Sequence, residues 1–201
     1  MGPIAATLLN YFEPERVYAS LVHLHDAYSL HSVFSPGFPG MLESIYVQER
    51  IMESFVSDVY DAFKRHMIST TSYATKWYIT LFANSVPFQM QLRLWDVFLL
   101  EGYDVFIAMA IAIVWVYRST SLLLITLFFL IISSDQITSK SANFETILSL
   151  LSSFFVPENE NALMSWIEKT LGDKKLRMSM RQWREDWRAL VKAGKEATVL
   201  L

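Results

Sequence analysis

Apolar residues recur at intervals of three and four along nearly all of the chain, which is the spacing of one face of an α-helix. Between residues 42 and 63 this spacing predicts one long amphipathic helix. Pro14 suits the first turn of an earlier helix. Breaks between helices are predicted at residues 35–40 (SPGFPG), at Pro87 and at Glu101–Gly102. Strand alternation of useful length and internal repeats are absent from the sequence, so we expect an all-α, multi-helix fold.

Composition narrows the class of protein further. Of the 201 residues, 53% are hydrophobic and only six are glycine and six proline, which indicates a packed helical protein rather than a disordered one. The chain has no cysteine, which excludes disulfides and thiolate metal sites. A net charge of -3 disfavours nucleic acid as a partner. The first residues lack the basic segment of a secretory signal, and we expect no signal peptide.

A dense motif lies between residues 77 and 102, WYITLFANSVPFQMQLRLWDVFLLEG. It resembles the third signature of the TBC domain, the module of Rab GTPase-activating proteins, in which W-[FY]-x-T-L-F-A is followed by a proline turn and L-R-x-W-D. The segments YSLHSVFSPGFPGMLESIYVQERIM and ISTTSYATKW also resemble the family. The resemblance covers most of residues 1–117 and resumes near residue 136. It implies a TBC-type helical array, a Rab-family GTPase as partner, no cofactor, and a cytoplasmic location peripheral to endomembranes.

The same resemblance bears on catalysis. Family members place an arginine in I-x-x-D-x-x-R and a glutamine in Y-x-Q-G-[ML], upstream of the region found here. The arginine motif does not occur in this chain, and Met1-Gly2-Pro3 corresponds to the position just after the family's Q-G. Because an arginine finger contributes about a thousandfold or more in rate, we expect a domain truncated at its N-terminus and catalytically impaired. The alternative is an interaction or membrane-tethering fragment without activator activity.

The motif positions are expected to be structural, and no catalytic residue is assigned. Arg93 and Asp96 lie three apart on a predicted helix and can form an ion pair. Trp95, with Leu92 and Leu99, is expected to face the core. Trp77 begins the preceding part of the motif.

Two weaker patterns are candidates for a catalytic glutamine and for a metal site. Tyr46-Val47-Gln48 spells Y-x-Q, but Glu49-Arg50 follow where Gly-[ML] belongs, so a catalytic role is disfavoured. A polar cluster near the end of a predicted helix contains His23, His25, Asp26 and His31. His23 and His25 point in divergent directions on a helix, which favours a polar helix end over a metal site.

An apolar segment interrupts the family pattern at residues 119–135. Ser119 to Ser134 has no charged residue and is slightly shorter than the ~20 residues of a membrane span. Three interpretations stay open: a membrane segment, in which case the chain is single-pass; an extra helix or hairpin packed on the domain; or sequence without selected function, such as noncoding sequence read through in an imperfect gene model. The residues that would contact membrane are Leu122, Leu127, Phe128 and Phe129.

The segment 173–201 is predicted to be a basic amphipathic tail that follows the remaining TBC helices at 136–172. From Asp173 to Lys195 it has eight Lys or Arg against three Asp or Glu. Trp183 and Trp187 belong to an apolar stripe under this basic face. Such a helix contacts anionic membrane or a partner helix, or else packs back on the domain. The sequence identifies neither the GTPase nor the oligomeric state.

Overall fold

The computed structural model describes the backbone of residues 1–132, 147–196 and 199–200, and the side chains of residues 1–118, 147–196 and 199–200. Every regular element among these residues is a helix, and the predicted all-α fold is confirmed. The helices are α1 (Gly2–Leu8), α2 (Pro14–Ala27), α3 (Leu30–Phe34), α4 (Pro39–Phe55), α5 (Ser57–Arg65), α6 (Thr70–Thr80), α7 (Phe88–Glu101), α8 (Asp104–Ile132), α9 (the helical residues 147–152), α10 (Glu160–Gly172) and α11 (Lys174–Lys192).

The core is built around α8. Every residue from Val105 to Val114 is at most 4% exposed, so this part of the helix is covered on all sides. The covering helices are α4, α5, α6, α7 and α10. A helix that is apolar around its whole circumference is stable only when it is buried in this way. Three alanines in the stretch, at 108, 110 and 112, keep its side chains small.

The predicted breaks at the proline and glycine positions are confirmed, but the single helix between residues 42 and 63 is wrong. The backbone leaves helical geometry at Val56, with φ of −137°, and α5 begins at Ser57. Val56 is 2% exposed and belongs to the core. The bend lets the apolar stripes of α4 and α5 cover α8 from different directions. Since neither Pro nor Gly marks this bend, the apolar periodicity alone could not reveal it.

The basic segment α11 packs on α4 rather than projecting from the domain. Trp187 is 3% exposed and its ring lies 5.2 Å from that of Tyr46. Trp183 is partly buried against the same core. Protein therefore covers Trp187 almost completely and Trp183 in part, which disfavours the expected membrane contact at Trp187 and leaves that at Trp183 as a prediction. The alternative of packing back on the domain is the arrangement in the structure.

Charged groups at the edge of this interface fix α11 in place. Arg188 forms a two-pronged ion pair with Glu43 of α4, with Nε–Oε2 and Nη2–Oε1 distances of 2.9 and 3.2 Å. Arg184 contacts the same carboxylate at 3.5 Å and also pairs with Asp104 at the start of α8. The hydrogen bond to Glu43 raises the pKa of Arg188. The spacing of the two arginines, one helical turn apart, places both beside Glu43.

Helix α8 continues through the position where the apolar insert was predicted to begin. The backbone of residues 119–132 is helical, whereas their side chains and residues 133–135 lie outside the description, as do the expected membrane contacts Leu122, Leu127, Phe128 and Phe129. Within the described part of the chain, no helix combines the length and apolarity that crossing a bilayer demands.

We predict that Trp187→Ala lowers the free energy of unfolding by about 3–5 kcal/mol, because it leaves a cavity between α11 and α4. Met178→Ala is the matched control, since Met178 lies on the same helix and is 70% exposed; its effect should stay within about 0.5 kcal/mol. Urea unfolding followed by circular dichroism measures both. Equal effects of the two substitutions would contradict the packing of α11 described above.

Candidate functional site

The motif predicted from the sequence forms the turn between α6 and α7. Trp77, near the end of α6, is 1% exposed and its ring contacts those of Tyr73 and Phe82. After Thr80 the chain enters the left-handed region at three residues without glycine: Leu81 (φ 51°), Phe82 (φ 62°) and Asn84 (φ 60°). Each such residue costs about 1–3 kcal/mol unless its surroundings hold it.

Trp95 supplies part of what holds this turn. Its indole Nε1 donates a buried hydrogen bond to the carbonyl oxygen of Leu81, at 2.9 Å. The backbone N–H of Phe82 donates to the carbonyl of Trp77 at 2.9 Å. Tryptophan suits this position because it combines a large apolar ring, which fills the core, with one N–H donor, which satisfies the carbonyl of the turn. The W-D portion of the motif therefore positions the L-F-A portion.

Buried polar side chains tie α4 to α6 behind this turn. Gln48, in the Y-x-Q triplet, is fully buried, and its Oε1 accepts from the Tyr78 hydroxyl at 2.8 Å. Its Nε2 donates to the Tyr73 hydroxyl at 3.4 Å. An amide sealed in the core in this way cannot orient water on another protein. Burial raises the pKa of both tyrosines, because desolvation disfavours the phenolate.

Arg93 and Asp96 lie on the outer side of α7, along a charged groove of about 690 Å³ between α7, α10 and α11. The predicted ion pair between them is not formed. Arg93 Nη1 lies 3.8 Å from Glu160 Oε2 at the start of α10, and Asp96 is exposed. Leu99, expected to face the core, is 49% exposed. Trp95 faces the core as expected, whereas Leu92 is only partly buried. The buried residues of α7 are Met90, Gln91, Leu94, Trp95 and Phe98.

A second groove lies on the opposite side of α7, against α1 and α2. Its volume is about 460 Å³ and its lining is largely apolar, with Leu81, Trp95 and Phe98 at its base and Phe12 and Leu99 at its rim. No Arg or Lys belongs to this lining among the described side chains. The groove therefore fits an apolar protein surface better than a phosphate group.

The helix α1 is attached to α7 beside this groove. Gln91 Nε2 donates to Thr7 Oγ1 at 2.8 Å, and the Thr7 hydroxyl donates to the carbonyl of Pro3 at 3.1 Å. Tyr11 stacks on Phe88 with ring centroids 6.4 Å apart. The Tyr28 hydroxyl of α2 donates to the Leu99 carbonyl at 3.1 Å. Both walls of the groove are thus fixed relative to the motif helix.

The histidine cluster forms a local polar network at the end of α2. His25 Nδ1 lies 3.0 Å from Asp26 Oδ1, and His31 Nδ1 lies 3.2 Å from the His25 carbonyl oxygen. Over the described side chains, no three His, Cys, Asp or Glu residues are placed to hold a metal ion.

The sequence motif and this helical architecture agree with comparisons to known proteins. Residues 1–123 match the family model described as the Rab-GTPase-TBC domain. The chain belongs to the Rab-GTPase-TBC domain family. The matched TBC residues include α1 to α7 and both tryptophans of the turn.

Curated relatives are similar over part of their length. The GTPase-activating protein GYP5 of Saccharomyces cerevisiae is 38% identical over 112 residues, which is 55% of this chain and 12% of the relative. A TBC domain-containing protein of Schizosaccharomyces pombe, C1778.09, is 31% identical over 173 residues, 84% of this chain and 37% of the relative. The Rab GTPase-activating protein eat-17 of Caenorhabditis elegans is 30% identical over 110 residues, 55% of this chain and 12% of the relative.

The sequence motif indicates Trp77 and Trp95, but it reveals neither the left-handed turn nor the hydrogen bonds of Gln48. The turn has no glycine to signal it, since Leu81, Phe82 and Asn84 adopt positive φ through tertiary contacts. A glutamine on the apolar stripe of α4, together with tyrosines on α6, is the pattern that could have revealed a buried polar network.

We predict that Trp95→Phe lowers the free energy of unfolding by about 1–3 kcal/mol, because it leaves the buried Leu81 carbonyl without its donor. Trp166→Phe is the matched control, since Trp166 is 37% exposed. Thermal unfolding of the two variants makes the comparison. A Trp95→Phe variant as stable as the control would show that the indole N–H does not hold the turn.

The raised pKa values of Tyr73 and Tyr78 predict a loss of stability in alkali. Above about pH 10 an unfolded tyrosine releases its proton while the folded one keeps it, so the folded state binds more protons and the free energy of unfolding falls as pH rises. The slope is up to about 1.4 kcal/mol per pH unit for each tyrosine.

Urea unfolding between about pH 9 and pH 11.5 tests this expectation. Tyr73→Phe should reduce the fall in the free energy of unfolding per pH unit by the contribution of one tyrosine. Tyr18→Phe, at a residue 72% exposed, should leave that fall unchanged. A slope that is the same in all three proteins would mean that Tyr73 ionises as easily when folded as when unfolded.

Proposed function

We propose that this polypeptide binds a Rab-family GTPase and acts in the regulation of small GTPases in membrane trafficking, at the cytoplasmic face of endomembranes. The observation that carries this proposal is the TBC family match over residues 1–123, which includes the Trp77–Trp95 turn. The relatives named as GTPase-activating proteins support it at the level of the family. Each of these relatives is much longer than the region that matches this chain. Their activity and their partner therefore apply to this chain only as a proposal.

The apolar groove between α1, α2 and α7 is the surface that we propose for the GTPase. Its rim exposes side chains of kinds that protein interfaces favour, since Phe12 and Leu99 are 43% and 49% exposed. Tyr11, next to Phe12 in sequence, and its stacking partner Phe88 are 55% and 42% exposed. The groove's rigid walls, fixed by the Gln91–Thr7 and Tyr28–Leu99 hydrogen bonds, reduce the entropy lost on binding.

We further propose that these 201 residues do not by themselves accelerate GTP hydrolysis. The I-x-x-D-x-x-R motif is absent from the sequence, and no Arg or Lys lines the groove among the described residues, although His23 belongs to its lining. The exposed Arg181 of α11 forms no ion pair among the described side chains. Three other arginines along α7 and α11 are already paired: Arg93 with Glu160, Arg177 with Glu101, and Arg188 with Glu43. Reaching a phosphate would cost each of them an existing ion pair.

The prediction has two parts, tested with the purified chain against a panel of GTP-loaded Rab proteins. At least one Rab should bind, and Leu99→Asp should weaken that binding by about tenfold or more, since it places a charge in an apolar interface. Leu100→Asp is the matched control, because Leu100 is 84% exposed and faces the charged groove instead.

In the second part, single-turnover hydrolysis by the bound Rab should proceed within a few-fold of its intrinsic rate. Acceleration of about a thousandfold would be the effect of an arginine finger and would contradict the proposed lack of activity. Absence of binding across the panel would contradict the proposed partner, whatever the hydrolysis rate.

A further inference from the structure

The central helix changes character abruptly after its buried segment. Burial ends at Val114, and the next two residues, Trp115 and Val116, are 44% and 53% exposed. The helix nevertheless continues past Arg118 to Ile132. None of those 14 residues, STSLLLITLFFLII, is charged. One continuous helix thus joins the core of the domain to a sequence that has no charged side chain.

Exposed aromatic side chains lie on one side of α8 where this change occurs. Phe55, at the end of α4, Trp115 and Trp166 of α10 line a groove of about 380 Å³. They are 62%, 44% and 37% exposed. The Arg118 guanidinium lies 3.9 Å from the Trp115 ring centroid, within cation–π range. Lys169 also borders the groove, whereas its acidic neighbour Asp173 accepts hydrogen bonds from the first backbone N–H groups of α11.

Further apolar residues are exposed near the same level of α8. Phe155 packs edge-on against Tyr117, with ring centroids 5.6 Å apart. Its two neighbours in sequence, Phe154 and Val156, are 53% and 64% exposed. We call the set of Phe55, Trp115, Phe154 and Trp166 the aromatic collar; Val156 lies beside it.

We propose that this end of the domain binds a lipid bilayer containing anionic headgroups, with α8 beyond Arg118 entering one leaflet and the aromatic collar lying at the interface. Trp and Arg concentrate at membrane–water interfaces because one part of each side chain is apolar and another is polar. The 14 uncharged residues span about 21 Å as a helix, more than half but less than all of a hydrocarbon core of about 30 Å. That length favours insertion from one side. This proposal is independent of GTPase binding.

Labelling at one cysteine tests where the chain meets lipid, because the protein has no cysteine of its own. Trp115→Cys carries an environment-sensitive fluorophore at the aromatic collar, and Met67→Cys, at a residue 85% exposed outside the collar, is the matched control. On addition of vesicles of phosphatidylcholine with about one third phosphatidylserine, the label at 115 should shift to the blue and brighten severalfold. The label at 67 should not change.

Two further arms make the result decisive. Flotation of the unlabelled chain with the same vesicles should fall at least fivefold for the double substitution Leu127→Asp and Phe129→Asp, with helical content retained by circular dichroism. Pure phosphatidylcholine vesicles should bind less chain than the anionic ones.

No flotation with either vesicle would overturn the proposal. So would equal changes at both labels, or a blue shift at 115 that appears without lipid as protein concentration rises, since the latter indicates self-association. Complete release of the bound chain by carbonate would contradict insertion into the leaflet, because carbonate removes proteins that are held only at the membrane surface.

Discussion

The structure depends on complete coverage of one helix. From Val105 to Val114, α8 exposes almost nothing, and this is achieved only because five other helices pack around it. The bend at Val56 and the sharp turn between α6 and α7 both bring helices into that packing. Local strain at Leu81 and Phe82 is tolerated because the burial it permits is larger than its cost. Coverage of α8 thus explains features that no local preference would produce.

Within this arrangement the family motif acts through geometry. Trp95 joins α7 to the strained turn through a hydrogen bond, and the ring of Trp77 contacts Phe82 of the turn and Tyr73 of α6. Neither tryptophan is placed to touch a nucleotide, since both are buried. Their arrangement instead fixes the base of the apolar groove beside α1 and α2. The motif therefore acts on the shape of the groove that we propose as the binding surface.

Much of the fold was predictable from residue patterns, and the exceptions have physical causes. Pro14, Pro87 and Gly102 mark helix boundaries because their backbone preferences are local. Val56 and Leu81 mark boundaries that tertiary packing imposes, so the sequence around them looks helical. On α7 the spacing predicts Leu99 in the core, but the structure buries its neighbour Phe98 and exposes Leu99. Trp183 and Trp187 were recognised as an apolar stripe, but only the partner helix α4, with Glu43 beside it, decides what that stripe contacts.

We propose that this polypeptide has the binding scaffold of a TBC domain without a cation directed at the transferring phosphate. Affinity for two nucleotide states of one Rab tests that claim most directly. A protein that supplies an arginine finger binds the GDP–aluminium fluoride form, a mimic of the transition state, at least about a hundredfold more tightly than the ground state. The account predicts nearly equal affinity of this chain for the aluminium fluoride form and for the form loaded with a non-hydrolysable GTP analogue. A hundredfold preference for the aluminium fluoride form would contradict it.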